Sequence, residues 1–362
     1  MSVPDVRGLA EDKYVKYVKA VLTKKEQMLF SETEIEELKA WLQQTRVYDK
    51  FETEIAPHIL NQALLKKLSG YALFAVQKPI YVLCVADPAV AKSQIALWIQ
   101  ERTPNTMFIE GTKLTGAGLT MSRMGKIITL GALPQTHNGT LFLDELDKTP
   151  ISEAVALYSS MANHEFSIQK ANLQISHCPS KQSGVFFCNP KGEHFITKHP
   201  DIIKSQIPFK STAFLTRFHA VLCLFQYDII EFEAITRHQY KATLGRIHTS
   251  VIDSNLEMWK RYVEYARKYK IEWTSTKKME DIITIFATEV FRQQEHLALP
   301  VSARLNEGII GFAEAVARSM IEPKVMVKHV VKAIMLMLEC FKLIGLDERP
   351  VLEQLKNYGK EK

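Results

Sequence analysis

Five short apolar segments between residues 80 and 225 constrain the fold more than any other feature of the sequence. They are IYVLCVA (80–86), TMFIE (106–110), TLFLDE (140–145), SGVFFC (183–188) and AVLCLF (220–225). Helix-length stretches separate them, and buried runs of this kind are typical of a parallel sheet with helices on both faces. The pattern therefore predicts an α/β fold of three layers, with the parallel sheet in the middle.

Long helical patterns follow residue 230, and no further strand is predicted there. They cover residues 254–270, 277–297, 301–320 and 325–345. Near the other end, Ser31 and Glu34 form an S-x-x-E capping box that opens an amphipathic helix over 31–46. We predict an N-terminal helical segment at 1–50, which includes a helical, lysine-rich start, an α/β domain at 51–230 and a helical lid domain at 231–362.

Composition excludes several classes of protein. The 362 residues include 46 Lys and Arg against 40 Asp and Glu, and a net charge of +6 is compatible with nucleic acid without requiring it. Five cysteines without a C-x-x-C pair argue against a structural zinc site and fit a reducing compartment. The polar N-terminus predicts no signal peptide, and the charged residues within 325–345 predict a buried helix, not a membrane span.

The stretch VLCVADPAVAKSQ (83–95) has the layout of a phosphate-binding loop, namely strand, loop, Lys-Ser and helix. Lys92 would contact the β- and γ-phosphates of a nucleotide, and Ser93 would hold Mg²⁺. However, the loop has no glycine, although glycines normally let backbone N–H groups wrap the phosphate. The residues alone leave open a working nucleotide site, a decayed one or a coincidence.

Polar residues at the ends of other predicted strands fit the same chemistry. Asp144 and Glu145 follow a buried strand, at the edge where open α/β sheets bind ligands. Asp144 would hold Mg²⁺ through water, Glu145 would activate the attacking water, and Asn189 could bond both the γ-phosphate and that water. Arg217 would act as an arginine finger on a neighbouring subunit, and Arg304 begins a helix of the second domain.

Eight segments in one order resemble a known family. They are IAPHILNQALLKK (55–67), ADPAVAKSQ (86–94), TGAGLT (115–120), GALPQTHNGTLFLDELDK (131–148), FSIQKANLQ (166–174), CNPKG (188–192), LTRFHAVLCL (215–224) and ARLNEGIIGFAEAVAR (303–318). Over about residues 30–345 the chain resembles the motor of the MCM family of AAA+ ATPases, the hexameric replicative DNA helicases of archaea and eukaryotes. The family's large N-terminal DNA-binding region has no counterpart here, so the resemblance implies the motor alone.

The resemblance implies a role for each matched residue. ATP would contact the loop residues Asp87, Pro88, Ala89, Val90, Ala91, Lys92, Ser93 and Gln94, with Ser93 and Asp144 on Mg²⁺. Asp144 and Glu145 match the Walker B pair, Asn189 matches sensor 1, Arg217 the arginine finger and Arg304 the sensor-2 arginine, the last two acting on a neighbour's nucleotide. Lys170 matches a hairpin lysine that faces DNA in a central channel without reading its sequence.

The resemblance also implies partners and a location. The expected cofactors are ATP and Mg²⁺. The expected partners are DNA, bound without sequence specificity, and further subunits, either a homo-oligomer such as a hexamer or another MCM subunit. No membrane is expected to be a partner. The expected location is the nucleus, or the cytoplasm in association with a nucleoid.

The sequence departs from the family pattern at several positions. Ala86 and Ala89 replace two glycines of the phosphate loop, whereas Ala91 matches the family. Asn172 replaces a hairpin glycine, and residues 121–130 form a shorter insert than the family has. Met161-Ala162-Asn163-His164 stands where the family has MEQQ, which predicts loss of an intersubunit polar contact. His219 replaces an aspartate, either incidentally or as a ligand or switch.

Three functions remain open on the sequence. The first is a ring-forming ATPase that translocates on or unwinds DNA during replication. The second is an MCM-like subunit with weak or no hydrolysis that has a structural or regulatory role. The third is an AAA+ remodeller of proteins, which would share the motor but not the substrate.

Overall fold

A computed structural model describes residues 30–124, 127–170, 173–274 and 276–360 of the chain. The helix predicted within residues 1–29 and the hairpin position Asn172 lie outside these ranges. In chain order the described strands are β1 (Tyr81–Ala86), β2 (Thr106–Glu110), β3 (Met121–Met124), β4 (Ile127–Leu130), β5 (Thr140–Asp144), β6 (Glu165–Lys170), β7 (Leu173–Pro179), β8 (Ser183–Cys188), β9 (Ala220–Leu224), β10 (Glu272–Trp273) and β11 (Lys324–Val325).

Five strands form one parallel sheet in the order β2-β5-β8-β1-β9. They are the five predicted strands, and their ends agree with the prediction to within one residue. Strand β1 lies between β8 and β9, where Cys84 pairs with Phe187 on one side and Leu222 on the other. Every residue of β1, β5 and β8 is buried, which explains their uninterrupted apolar character.

Among the described residues, three two-stranded ribbons accompany the sheet. β3 pairs with β4 and β6 pairs with β7, both antiparallel, so the short insert at 121–130 still forms a hairpin. β10 and β11 pair in parallel through Glu272 with Lys324 and Trp273 with Val325. The prediction that no strand follows residue 230 is therefore wrong for β10 and β11. A strand of two residues is too short to produce a hydrophobic period in the sequence.

Helices fill the remaining segments of the described chain. They are α1 (Glu32–Thr45), α2 (Phe51–Glu54), α3 (Ala63–Ala72), α4 (Lys92–Arg102), α5 (Gly116–Leu119), α6 (Ala132–Gln135), α7 (Ile151–Asn163), α8 (Pro200–Gln206), α9 (Thr212–Leu215), α10 (Ile229–Thr243), α11 (Val251–Ser254), α12 (Leu256–Lys268), α13 (Lys277–Arg292), α14 (Arg304–Ser319), α15 (Val327–Leu343) and α16 (Glu348–Lys360), with 3₁₀ turns at Val47–Asp49, Gly111–Lys113, Leu146–Lys148 and Gln294–His296. The predicted capping box is present, with Ser31 and Glu34 bonded reciprocally.

The helical region packs directly on the sheet. One hydrophobic cluster runs from Leu38 in α1 to Val351 in α16, and α15 packs against β9. The half-buried Arg267 of α12 donates to the carbonyl oxygens of Leu73 and Pro104, which lie next to the sheet. No described helix combines the length and apolarity needed to span a membrane, and the segment predicted as a buried helix is α15. The domain bounds at residues 50 and 230 stay predictions.

Candidate functional site

The loop after β1 is attached to the neighbouring segments by Asp87. Its buried carboxylate accepts hydrogen bonds from the backbone N–H groups of Phe195 and Gln226, each at 2.7 Å. Its own N–H donates to the Leu224 oxygen at 2.9 Å. Both carboxylate oxygens are thus occupied by protein backbone. The geometry gives Asp87 a part in shaping the loop, and the direct contact with ATP predicted for it stays untested.

The loop adopts left-handed backbone without glycine. Ala89 has φ +62° and Ala91 has φ +61°, whereas Ala86 is the last residue of β1 and has no positive φ. Ala91 precedes helix α4, which begins at Lys92. The first N–H groups of a helix lack partners within the helix and favour anions. The loop therefore has the backbone of an anion site. Of the two alanines that replace family glycines, Ala89 is the one in strained backbone.

Four side chains meet where β1, β5 and β8 end. The Lys92 amine donates to Asn189 Oδ1, and the Ser93 hydroxyl donates to Asp144 Oδ2. We call these four residues the phosphate-side cluster. They meet because β8 lies between β1 and β5, and the carboxyl ends of parallel strands share one edge. A hydroxyl beside a carboxylate is an oxygen donor set that fits Mg²⁺, and Lys92 adds a positive charge for phosphate.

Glu145 lies next to this cluster in left-handed backbone, with φ +53°. Its carboxylate pairs with Lys148 Nζ at 2.6 Å. Hydrogen bonds from Lys148 and, to a lesser extent, Thr112 lower the pKa of Glu145, so the carboxylate is charged at neutral pH. Asp147 accepts from the Asn189 N–H at 3.4 Å, and burial raises the pKa of Asp147. The sequence did not indicate these supporting contacts.

A cleft of about 1020 Å³ opens beside the phosphate-side cluster. Its lining includes the predicted residues Pro88, Ala89, Val90, Ala91, Lys92, Ser93 and Gln94. The rest of the lining includes His58, Ile59 and Leu60 and, from α10, Phe232, Ile235, Gln239, Ala242 and Thr243. None of these residues was predicted to be a site residue. The resemblance of residues 55–67 to a family segment was a signal for His58, Ile59 and Leu60 but not for the residues of α10.

Arg217 lies at the other edge of the sheet. The N–H of His219 donates to the Tyr81 oxygen at 2.8 Å, so this segment is level with the first residue of β1, whereas the phosphate loop follows its last. The six residues of β1 span about 16 Å, and this length separates the Arg217 segment from the phosphate loop. Arg217 Nη1 donates to the Ala213 oxygen at 3.0 Å, and its guanidinium lies 5.9 Å from the Tyr158 ring centre.

Arg304 shares this edge with Arg217. The Ser302 hydroxyl donates to the Thr216 oxygen at 3.4 Å, which brings the start of α14 beside the Arg217 segment. We call Arg217 and Arg304 the arginine edge. The structure thus brings Lys92 into contact with Asn189 and Ser93 into contact with Asp144 at one edge of the sheet. It does not bring the two arginines of the same chain to these residues.

His219 is buried in the core. Its Nδ1 accepts a hydrogen bond from the Tyr81 N–H at 3.1 Å, and the two rings stack with centroids 5.4 Å apart. Burial, and to a lesser extent the charge of Arg304, lowers the pKa of His219 to about 3. The imidazole is therefore neutral at physiological pH, and its contacts are those of a packed core residue.

Lys170 is the last residue of β6 and pairs with Leu173 across the β6–β7 hairpin. The predicted hairpin is present, but the side chain of Lys170 lies outside what the structure describes. Its contact with DNA stays a prediction. His164 belongs to the segment that differs from the family's MEQQ. It follows the last residue of α7 and has φ +59°, and its Nδ1 lies 3.5 Å from the Tyr81 hydroxyl oxygen.

Comparison with known proteins gives consistent matches. A family model described as the MCM P-loop domain matches residues 34–231, and one described as the MCM AAA-lid domain matches residues 257–341. The chain is 24% identical over 341 residues to the Minichromosome maintenance protein MCM of Saccharolobus solfataricus, covering 89% of this chain and 49% of the relative.

Plant relatives give similar values. The chain is 25% identical over 338 residues to the DNA replication licensing factor MCM6 of Arabidopsis thaliana, covering 86% of this chain and 40% of the relative. It is 27% identical over 329 residues to the DNA replication licensing factor MCM5 of Oryza sativa subsp. indica, covering 82% and 44%. The chain spans about half the length of these relatives, or less. With an α/β sheet domain and a helical lid region that both match, the chain belongs to the MCM family of AAA+ proteins.

Proposed function

We propose that the chain is an ATP-driven motor subunit that works in a ring and moves along or unwinds DNA during replication. The observation that supports this most strongly is the separation of the phosphate-side cluster from the arginine edge. One edge of the sheet offers Lys92 and the start of α4 for phosphate, and the other offers Arg217 and Arg304. A second copy could bring its arginines to the first copy's phosphates, so ATP would lie between subunits.

Each residue of the proposed site has a definite task. Lys92 and the first N–H groups of α4 would neutralise the triphosphate, and Ser93 and Asp144 would hold Mg²⁺, which supplies charge stabilisation when bound. Glu145 would accept a proton from the attacking water, for which it must first leave Lys148. Asn189 would orient that water, and the arginines of the neighbouring copy would stabilise the charge of the transferred phosphoryl group.

The other partners of this proposal follow from the family. MCM relatives named as replication licensing factors point to DNA and to other MCM subunits as partners, and to a nuclear or other DNA-associated location. The β6–β7 hairpin, whose first strand ends at Lys170, would face DNA in the channel of the ring. A lysine there would contact phosphates, so DNA binding should weaken as salt rises.

A second candidate is a subunit that binds nucleotide without turnover. Two observations favour it: Ala89 stands in strained left-handed backbone, and Glu145 is bonded to Lys148. Calorimetry with MgATP and a hydrolysis assay separate the two candidates. Under the motor proposal, Glu145→Gln keeps ATP affinity and loses hydrolysis, whereas Lys92→Ala loses both. Wild-type binding without hydrolysis, with and without DNA, would instead establish the second candidate.

Mixing two inactive variants tests whether the site is shared between copies. Lys92→Ala and Arg217→Ala should each abolish hydrolysis alone. When they are mixed before assembly, an interface that pairs Lys92 from one variant with Arg217 from the other is intact, so hydrolysis should recover to about a quarter of the wild-type rate. A mixture as inactive as its components would contradict the shared site.

A further inference from the structure

A strained loop forms part of the lining of the cleft. We call residues 56–60 the wall loop, of which His58, Ile59 and Leu60 line the cleft. It begins at Ala56 with φ +47° and is followed by Asn61 and Gln62, with φ +69° and +59°. Backbone of this kind persists only where surrounding contacts hold it.

Lys66 of α3 supplies two of these contacts. Its side chain is buried, with 2% of the residue exposed, and its amine donates to the Ala56 oxygen at 3.0 Å and the Ile59 oxygen at 2.6 Å. Both acceptors are neutral carbonyls, and no carboxylate pairs with the amine within the described residues. Burying a charge without a paired countercharge is costly, whereas methionine would pack at this position without that cost. The amine therefore acts through the two carbonyl groups that it holds.

A third hydrogen bond joins the wall loop to α10. His238 of α10 donates from Nε2 to the Pro57 oxygen, at 2.8 Å. Other residues of α10 line the same cleft, including Ile235, Gln239 and Ala242. We call the part of the cleft lined by the wall loop and α10 the slot. Its shape depends on Lys66, which joins the wall loop to α3, and on His238, which joins the wall loop to α10.

The occupant of this slot follows from the two ends of the cleft. The phosphate loop end offers a positive charge and free N–H groups. The slot offers apolar side chains, Ile59, Leu60 and Ile235, with a few polar groups beside them, among them Gln239 and Thr243. An apolar slot next to a phosphate site suits the flat base of a nucleotide, not a further phosphate.

We propose that Lys66 is a positioning residue that holds the wall loop in the shape that receives the nucleotide base. This inference rests on the proposed ATP site and deepens it, because it assigns base affinity to a residue that does not itself line the cleft. Loss of the amine would let the loop relax from its left-handed backbone and would widen or close the slot. Affinity for the phosphates, which bind elsewhere in the cleft, would not change.

The experiment compares two ligands on the full chain. Calorimetry measures the affinity for MgATP and, separately, for Mg-tripolyphosphate, which lacks the base and ribose. In Lys66→Met, MgATP affinity should fall by about tenfold or more, since hydrogen bonds from a charged group are lost. Tripolyphosphate affinity should stay within about twofold. His238→Ala should show the same pattern and decides the question if Lys66→Met does not fold.

Arg267→Met is the matched control. Arg267 is a half-buried cation that likewise donates to two backbone carbonyls, but those of Leu73 and Pro104 belong to the opposite edge of the sheet. Its variant should leave both affinities unchanged. Unchanged MgATP affinity in Lys66→Met and His238→Ala would overturn the role of Lys66 and leave the ATP site standing. An equal loss for both ligands would also overturn it. Wild-type protein that binds neither ligand would refute the ATP site itself.

Discussion

The two alanines that replace family glycines in the phosphate loop should respond in opposite ways to restoration of glycine. Ala89 has φ +62°, in the region that costs an L-residue about 1–2 kcal/mol. Ala86 ends β1 in extended backbone and is completely buried. The same substitution therefore relieves strain at Ala89 and creates a defect at Ala86.

The magnitudes follow from three terms. Ala89→Gly recovers about 1–2 kcal/mol of backbone strain and loses about 0.4–1 kcal/mol because glycine makes the unfolded chain more flexible. The net free energy of unfolding should rise by about 0.5 kcal/mol. Ala86→Gly has no strain to recover, loses the same entropy and removes a buried methyl group worth about 0.8 kcal/mol. Its free energy of unfolding should fall by about 1.5 kcal/mol.

Urea titration of the three proteins gives the comparison, and calorimetry with MgATP adds a functional measure. Ala89→Gly should be more stable than Ala86→Gly by about 2 kcal/mol. Its ATP affinity should equal or exceed that of the wild type, because the backbone around a bound phosphate loses a methyl group that lines the cleft. Equal loss of stability in both variants would refute the assignment of strain to Ala89.

Three further predictions concern buried charges, each measured by urea titration. The pKa of His219 is about 3 in the folded chain and about 6.5 when unfolded, so the wild type should lose stability relative to His219→Gln as the pH falls from 6.5 to 4.5, by up to about 1.4 kcal/mol per pH unit. A constant difference would show that His219 titrates normally. Burial lowers the pKa of Lys66 from 10.5 to about 8, so the unfolded chain holds the extra proton between these values, and wild-type stability should rise from pH 8 to 9.5 relative to Lys66→Met. No relative rise would contradict this. Glu314→Gln leaves Arg318, which is 1% exposed, without its countercharge, and should cost about 3–5 kcal/mol, whereas Glu233→Gln, at an exposed ion pair, should cost less than about 1 kcal/mol. Similar losses in the two would argue against the buried pair.

The sequence predicted the sheet because each central strand is buried on both faces. Strands β1, β5 and β8 consist almost entirely of residues with no contact with solvent, so each appears in the sequence as an unbroken apolar run. Parallel order then places Lys92, Asp144 and Asn189 at one edge, which is why their meeting could be predicted from spacing. The two-residue strands β10 and β11 leave no such signal.

The wall loop could not be predicted, because its shape depends on contacts between distant parts of the chain. Lys66 is one of two adjacent lysines, and only the fold determines that its side chain points inward while that of Lys67 does not. The left-handed backbone at Ala56 and Gln62 involves residues that rarely adopt it, so local preference argued against the observed shape. Here tertiary contacts override local preference, which is typical of a functional site.

The geometry of one chain also limits what that chain can do alone. The phosphate loop and the arginine edge lie at opposite ends of β1. The sheet between them is part of the closely packed core, which leaves it no room to deform. No side-chain rotation can carry Arg217 across the length of a strand to its own cleft. Under the proposed function, nucleotide binding is therefore a property of the single chain, since Lys92, Ser93 and the cleft are complete within it. Hydrolysis is a property of two chains. The rate of hydrolysis per chain should therefore depend on protein concentration, whereas the affinity for nucleotide should not.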